Sequence, residues 1–137
     1  ADLDAAAHAR GVELVLEGAA VNVRGQPAAL AVLVRNLVEN AIHHAPQHSV
    51  VEVATTAWEG GAELTVTDTG EGIPAGERER VFDRFYRRPG QSASGSGLGL
   101  SIVRRVAQLH DAEVRLEDAR DDAASPGLTV RVRFRTP

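Results

Sequence analysis

The chain has 137 residues, of which 43% are hydrophobic and 25% are charged, and this predicts a single compact domain with a hydrophobic core. Its formal net charge of −4 argues against nucleic acid as a partner. Cysteine is absent, which excludes disulfides, thiolate metal sites and cysteine nucleophiles. All 15 basic residues are arginine, which excludes sites that depend on lysine, such as the Walker phosphate loop.

We expect no targeting signal within residues 1–137. No run of about 18 apolar residues occurs and no charged and then apolar leader opens the chain, so we expect neither a membrane span nor a signal peptide in it. Methionine is absent, at position 1 as elsewhere, so we expect residues 1–137 to be one domain of a longer protein.

The first third of the chain predicts two helices with short strands between them. Residues 2–10 are rich in alanine and favour a helix. Two short apolar runs near glycines predict strands at 12–17 and 21–23. Over 27–45 the apolar residues recur every three or four positions, which is the period of an amphipathic helix, and Pro46 follows its end.

The rest of the sequence predicts one β-hairpin before a second helix and another β-hairpin after it. Alternating apolar residues indicate four strands in two pairs: 49–58 with 62–68, and Val114 to Leu116 with 128–134. The first pair is joined by a turn at Gly60 and Gly61. Glycine and serine dominate 89–97, which predicts a mobile loop, and the helix that follows ends at about His110. We therefore expect an α+β sandwich of two layers, with helices on one face of a mixed, mostly antiparallel sheet.

A polar stripe runs beside the apolar face of the long helix. Asn36 and Asn40 are four residues apart, and His43 and His44 follow at three and four, so these side chains share one side of the helix. Such a stripe is often only the solvated face of a helix. An amide oxygen is also a suitable ligand for Mg²⁺, a cation that commonly arrives with phosphates.

Asp68 is in phase with Leu64 and Val66, so the strand period places it on the inward face, where a carboxylate needs a hydrogen-bond donor. It can cap the turn that follows, because Asp-Thr-Gly is common turn chemistry, or it can accept a hydrogen bond from an exocyclic amine such as that of adenine. Gly70 and Gly72 allow close backbone approach or a positive φ, in a plain turn or in a ligand site.

The second helix begins within a glycine-rich sequence. This sequence consists of Gly95, Ser96, Gly97, Leu98, Gly99 and Leu100. Backbone N–H groups at the start of a helix attract phosphate. A flexible linker is the alternative, but the apolar helix begins at once, and this places the glycines inside the fold.

The order and spacing of these motifs resemble the ATP-binding catalytic domain of bacterial sensor histidine kinases. Asn36 to Asn40 resembles the N box of that family, Asp68 to Gly72 its first glycine box, Phe82 to Arg87 its F box, and Gly95 to Leu100 its second glycine box. The likeness covers nearly the whole chain, and the passage 84–109 in particular is most similar to the QseC-like branch of the family.

The resemblance implies the Bergerat (GHKL) ATP-binding fold and assigns roles to the polar residues. Asn40 would hold the Mg²⁺ that bridges the phosphates of ATP, with Asn36 supporting it. Asp68 would accept a hydrogen bond from the adenine amino group. His43 stands where the family often has a phosphate-contacting lysine or arginine, and His44 where a residue packs against adenine.

Further residues follow from the same resemblance. Arg84 and Arg87 would contact the phosphates. The glycines of the second glycine box would let the backbone of the lid, the predicted mobile segment before them, close over the phosphates. Leu128 stands where threonine or serine is common near adenine. The resemblance assigns these residues to ATP: Asn36, Asn40, His43, His44, Asp68, Gly70, Gly72, Ile73, Arg84, Tyr86, Arg87, Gly95, Ser96, Gly97, Leu98, Gly99 and Leu100.

The implied activity is transfer of the γ-phosphoryl of ATP to a histidine on a separate dimerisation domain. None of the five histidines has the sequence context of that acceptor, so we expect no self-contained catalytic residue in this domain. Asn36 stands where hydrolytic members of the superfamily have a glutamate that activates water, which favours transfer over hydrolysis. The implied partners are the dimerisation domain and a response regulator. The domain would be cytoplasmic without direct membrane contact, and its parent would lie in the bacterial inner membrane.

Two other functions are compatible with these motifs. An anti-sigma-factor type serine kinase uses the same fold without a fused helical domain, but the F box favours a histidine kinase. A nucleotide-binding interaction module without transfer activity is the other alternative, and the asparagines and glycines argue against it. Phe82 and Phe85 are core residues, couple the lid to a partner, or do both. We expect the lid at 88–94 to become ordered when nucleotide binds.

Overall fold

The computed structural model describes residues 2–18, 23–83, 99–121 and 124–135. These residues form the following helices and strands: α1 (Asp2–Ala9), β1 (Glu13–Gly18), α2 (Pro27–His44), β2 (Val50–Trp58), β3 (Gly61–Asp68), α3 (Gly99–Leu109), β4 (Glu113–Glu117) and β5 (Leu128–Arg135). Two short 3₁₀ turns, Ala75–Glu77 and Arg80–Phe82, were not predicted. No helix among the described residues has both the length and the apolar character needed to cross a membrane.

The predicted helices and both hairpins are confirmed, and most of their ends agree with the prediction to within one or two residues. One prediction is wrong in the part that can be compared: Val23, the last residue of the strand predicted over 21–23, is not in a strand. The first two residues of that strand, and the loop predicted over 89–97, lie outside the described residues.

The strands form one mixed sheet in the order β1-β2-β3-β5-β4. The pairs β2–β3, β3–β5 and β5–β4 are antiparallel, whereas β1 runs parallel to β2. Parallel neighbours need a crossover connection, and α2 lies in that connection. The mostly antiparallel sheet is as predicted, and its register places Asp68, the last residue of β3, opposite Leu128.

The core lies between α2, α3 and one face of the sheet. Alternate residues of β3 are buried on this face: Ala62, Leu64, Val66 and Asp68. Leu33 of α2, Val103 of α3 and Val132 of β5 have no exposed surface. The two-layer sandwich with helices on one face is confirmed.

The other face of the sheet is polar and carries an ionic network. Arg131 donates hydrogen bonds to Glu63 and to Glu117, and Arg133 donates to Glu63 at 2.6 Å. The guanidinium of Arg133 also lies 5.1 Å from the ring centroid of Trp58. Trp58 therefore packs against Arg133 at the end of β2.

Both ends of α2 are fixed by neighbouring residues. Pro27 occupies the first turn, where its missing N–H costs nothing. At the other end Ala45 is extended, as expected for a residue before a proline. Arg10, which follows α1, donates from Nε to the carbonyl of Ile42 at 3.1 Å and from Nη2 to that of His43 at 2.9 Å. A cation that bonds the last carbonyls stabilises the end of a helix.

The end of α3 is joined to the start of α2 by His110. Its Nε2 accepts a hydrogen bond from the backbone N–H of Gln26 at 3.2 Å, and its Nδ1 lies 2.8 Å from the carbonyl of Val106. The two bonds together require a neutral ring with the proton on Nδ1. This contact makes the two helices antiparallel neighbours and brings the first residue of α3 toward the middle of α2.

Candidate nucleotide site

The polar stripe of α2 lies along the border between its buried and its exposed faces. Asn36, Asn40, His43 and His44 are all half-buried. On one side of them are core residues such as Leu37, and on the other side are exposed residues such as Glu39. The predicted stripe is thus more than a solvated face, because its side chains line the edge of the core.

Asn36 faces the start of α3. Its Nδ2 donates to the carbonyl of Val32, one turn earlier, at 2.8 Å. Its Oδ1 is the atom that a Cβ added at Gly99 would meet, at 3.5 Å. The structure therefore brings Asn36 close to Gly99 at the start of α3.

Asp68 is buried, with 3% of its surface exposed. Its Oδ1 accepts a hydrogen bond from the N–H of Gly70 at 2.8 Å, and the backbone N–H of Leu128 also donates to the carboxylate. Burial raises the pKa of Asp68 to about 6, although the two hydrogen bonds act in the opposite direction. The turn-capping role is thus present. A carboxylate has about four lone-pair sites, so two bonds leave it able to accept from a ligand.

The two glycines after Asp68 are required by close contacts. A Cβ at Gly70 would lie 2.5 Å from the carbonyl oxygen of His44 at the end of α2. Gly72 has φ +76°, and a Cβ there would lie 2.7 Å from the carbonyl oxygen of Gly127. This turn is therefore packed between α2 and the residues before β5, and Ile73 beyond it is buried.

The connection between β4 and β5 contributes residues that sequence reasoning missed. The N–H of Gly127 donates to the carbonyl of Gly70 at 2.9 Å. The hydroxyl of Ser125 lies 3.2 Å from the carbonyl oxygen of Thr69 and 3.3 Å from that of Gly70. The sequence Ser125-Pro126-Gly127 signals a turn, but nothing in it indicates the segment that the turn contacts.

The two histidines at the end of α2 lie in contact with each other. Their rings are in edge contact, with centroids 5.0 Å apart and planes at 82°. Burial and the positive charge of Arg10 lower the pKa of His43. His43 is consequently neutral at pH 7, unlike the lysine or arginine for which it stands.

Several predicted site residues lie outside the described part of the chain: Arg84, Tyr86, Arg87, Gly95, Ser96, Gly97 and Leu98. Gly99 and Leu100 are described and form the first turn of α3, where Leu100 is buried. Phe82 is a core residue, and the guanidinium of Arg104 lies 4.5 Å from its ring centroid. Phe85 is outside the described residues.

The donor set fits a cation that arrives with phosphates better than a site built by protein alone. Among the described residues, no three histidine, aspartate or glutamate side chains converge on one point. Mg²⁺ is usually held by one or two protein oxygens together with substrate phosphates. The half-buried amide of Asn40 can supply such an oxygen.

The family model for histidine kinase-, DNA gyrase B- and HSP90-like ATPases matches residues 25–137, so the chain belongs to this family. Within it, the sensor protein QseC of Escherichia coli K12 is 45% identical over 108 residues, which are 79% of this chain and 23% of QseC. The chain thus spans about a quarter of the length of this relative.

Solved structures agree with that placement. A mycobacterial sensor histidine kinase, MprB, matches with a TM-score of 0.88 and 34% identity, over 97% of this chain and 90% of the other. The ATP-binding domain of PrrB from Mycobacterium tuberculosis matches with a TM-score of 0.71 and 31% identity, over 99% and 93%. The predicted class, the HATPase domain of a sensor histidine kinase, is confirmed, and QseC is among the relatives as expected.

Proposed function

We propose that this domain binds Mg·ATP where α2, the end of β3 and the start of α3 meet, and transfers the γ-phosphoryl group to a histidine on a separate dimerisation domain. The observation that carries the proposal is the buried carboxylate of Asp68, which two backbone N–H groups orient. The PrrB domain that the chain matches is described as ATP-binding, which supports the same ligand here.

Asp68 would recognise the base. An ionised carboxylate accepts hydrogen bonds only, so it favours a 6-amino purine over a 6-oxo purine, whose carbonyl oxygen it would repel. Glycine is required at position 70, beside the carboxylate, because a Cβ there would lie 2.5 Å from the carbonyl oxygen of His44 and 3.1 Å from Asp68 Oδ1. The buried side chain of Ile73 would supply apolar surface for the base.

Asn40 would hold Mg²⁺ through its amide oxygen, and the ion would neutralise charge on the phosphates as the phosphoryl group moves. Asn36 would line the same side, since its Oδ1 faces Gly99 at the start of α3. The backbone N–H groups of this first turn suit phosphate oxygens. Arg84 and Arg87 complete the proposed phosphate contacts.

The chain would promote transfer by positioning and not by acid–base chemistry. The acceptor imidazole nitrogen attacks the γ-phosphorus, the bond to the bridging oxygen breaks, and ADP leaves. Such transfer depends mainly on alignment and charge neutralisation. Asn36 cannot act as a general base toward water, so hydrolysis is slow by comparison.

The residues 1–137 would act as one catalytic domain of a longer protein. Its partners would be the dimerisation domain that carries the acceptor histidine and a cognate response regulator. The domain itself would be cytoplasmic, and its parent would lie in the bacterial inner membrane. The sensor kinase relatives support this arrangement, but the chain spans only 23% of QseC.

The test of nucleotide binding is calorimetric titration with Mg·ADP. Asp68→Ala removes the base acceptor and Asn40→Ala the cation ligand, and each should weaken binding at least about tenfold, the typical effect of a hydrogen bond to a charged group. Two neighbours serve as matched controls. Thr67→Val changes the residue before Asp68. The hydroxyl of Thr67 contacts Thr129 and not the site. Glu39→Gln changes the exposed residue before Asn40.

The test of transfer uses γ-labelled ATP and the dimerisation domain of the parent protein. Acid-labile label on that domain is the result expected of a histidine kinase. Acid-stable label on a protein serine would instead indicate the anti-sigma-factor type of kinase. Binding without transfer would leave the interaction module as the function, and a folded domain that binds no Mg·ADP would refute the proposal.

A further inference from the structure

The segment that follows Asp68 is held at both ends by the connection between β4 and β5. We call residues 69–74 the base loop. The described parts of the connection are residues 118–121 and 124–127. The contacts between the two segments involve polar side chains that no motif of the sequence singles out.

The first end of the base loop is held at the peptide of Gly70. The N–H of this residue donates to Asp68 Oδ1 at 2.8 Å. Its carbonyl accepts from the N–H of Gly127 at 2.9 Å and from the hydroxyl of Ser125 at 3.3 Å. The carbonyl of Thr69 and the N–H of Gly70 belong to one planar peptide unit, so the Ser125 hydroxyl, 3.2 Å from that carbonyl, also fixes the direction of the N–H that binds Asp68. Ser125 therefore acts on the orientation of the Asp68 carboxylate through one residue.

The second end is held by Arg78. Its Nε donates to the carbonyl of Ile73 at 2.9 Å, its Nη1 to that of Leu116 at 3.4 Å, and its Nη2 to Asp118 Oδ1 at 2.7 Å. One guanidinium thus joins the end of the base loop to Leu116, near the end of β4, and to Asp118 at the start of the connection. A guanidinium presents its donors in a fixed planar fork, so it sets the distance between these two segments.

We propose that Ser125 and Arg78 are positioning residues for base recognition, and that the β4–β5 connection sets the selectivity of this site for a 6-amino purine over a 6-oxo purine. The inference rests on the proposed function. The bonds described for the two side chains reach the backbone carbonyls of the base loop, so both would act by fixing the backbone that orients the Asp68 carboxylate. Loss of either would leave a carboxylate that is present but no longer held in one position, and this reduces discrimination more than it reduces folding.

The experiment compares the affinities of the chain for Mg·ADP and Mg·IDP by calorimetry, at one pH above 7. Ser125→Ala is the decisive variant, because the carbonyl of Gly70 keeps its bond from Gly127 and the fold is retained. We expect the ADP/IDP affinity ratio to fall about three- to tenfold, the effect of one hydrogen bond. Ser125→Thr keeps the hydroxyl and should restore the ratio. Arg78→Gln should lower the ratio, and Arg78→Lys should not restore it.

Two control variants remove similar bonds elsewhere. Ser49→Ala removes a hydroxyl that donates to the carbonyl of Pro46 at 2.5 Å. Arg115→Gln removes an exposed arginine that pairs with Glu113 at 3.0 Å. Both should leave the ADP/IDP ratio unchanged, even if they lower the melting temperature. The inference would be overturned if the ADP/IDP affinity ratio fell in step with the melting temperature in every variant, wherever the substitution lies.

The possible outcomes separate the inference from the function on which it rests. A parent chain that binds neither nucleotide refutes the proposed function, and the inference with it. A parent that binds both equally retains nucleotide binding but overturns the role of Asp68 and of its positioning residues. A selective parent whose Ser125→Ala variant is equally selective overturns the inference alone.

Discussion

Replacing Asp68 with asparagine should make the nucleotide-free domain more stable near neutral pH, while it replaces the charged acceptor for the base with a neutral amide. Burial raises the pKa of Asp68 from its ordinary 3.8 to about 6. That displacement corresponds to about 3 kcal/mol of folding free energy, which is lost when the carboxyl is ionised in the folded state. Asparagine carries no charge, but it weakens the bond from Gly70 by about 1 kcal/mol. We therefore expect a net gain of about 1–2 kcal/mol at pH 7.5.

The sign of this effect depends on pH. Between pH 3.8 and about 6 the folded protein holds a proton on Asp68 that the unfolded chain has already released. The stability due to this carboxyl is therefore fully present below pH 3.8 and is lost as the pH rises through about 6. The advantage of Asp68→Asn should accordingly be absent near pH 4, grow as the pH rises to about 6, and stay constant above that.

The assay is urea unfolding between pH 4 and 7.5, followed by the fluorescence of Trp58, the only tryptophan. Other carboxyl groups change stability with pH in both proteins, so the quantity to plot is the difference between variant and parent. Asp4→Asn, at an exposed position on α1, is the control and should change stability by less than about 0.5 kcal/mol. A difference that stays constant from pH 4 to 7.5 would refute the argument.

Three further outcomes are expected. The affinity for Mg·ADP should fall about tenfold per pH unit below about pH 6, because protonated Asp68 is a poorer acceptor; calorimetry that finds constant affinity down to pH 5 would contradict this. His43→Arg should strengthen Mg·ADP binding roughly two- to fivefold by placing a permanent cation where burial and Arg10 keep the histidine neutral, whereas His8→Arg on exposed α1 should not. Gly25→Ala and His110→Ala should each lower the free energy of unfolding, and for His110 the loss should be about 1–2 kcal/mol. In the double variant the two losses should be less than additive, because a Cβ at Gly25 would lie 2.3 Å from the His110 ring that the second substitution removes.

Local periodicity was sufficient to predict most elements and the inward direction of Asp68. The three- and four-residue spacing in α2 and the alternation in β3 each reflect contact with the same core, so pattern and burial agree. The positions of Asn36, Gly70 and Gly72 could be predicted for the same reason, because they lie within or next to these elements.

The contacts that complete the site join residues distant in sequence and could not be predicted. The bond from Gln26 to His110 spans 84 positions, that from Ser125 to Gly70 spans 55, and that from Arg78 to Asp118 spans 40. The first bond depends on how α3 packs against α2, and the other two depend on how β5 returns beside β3 with β4 at the edge of the sheet. Local propensity determines neither. The parallel pairing of β1 with β2 was missed for the same reason, since it follows from the crossover through α2.

The free-energy cost of burying Asp68 helps to decide whether turn capping or ligand recognition is the reason for a carboxylate at this position. As a turn cap alone, the residue accepts from Gly70, a bond that asparagine or serine can make without an ionisable group. Yet the position holds a carboxyl that is 3% exposed and that destabilises the folded state above pH 6. An ionised acceptor becomes useful only when a donor is brought to it, and an amine that arrives with a ligand recovers in binding what folding loses. The free-energy cost of Asp68 therefore favours ligand recognition over capping as the reason for its charge.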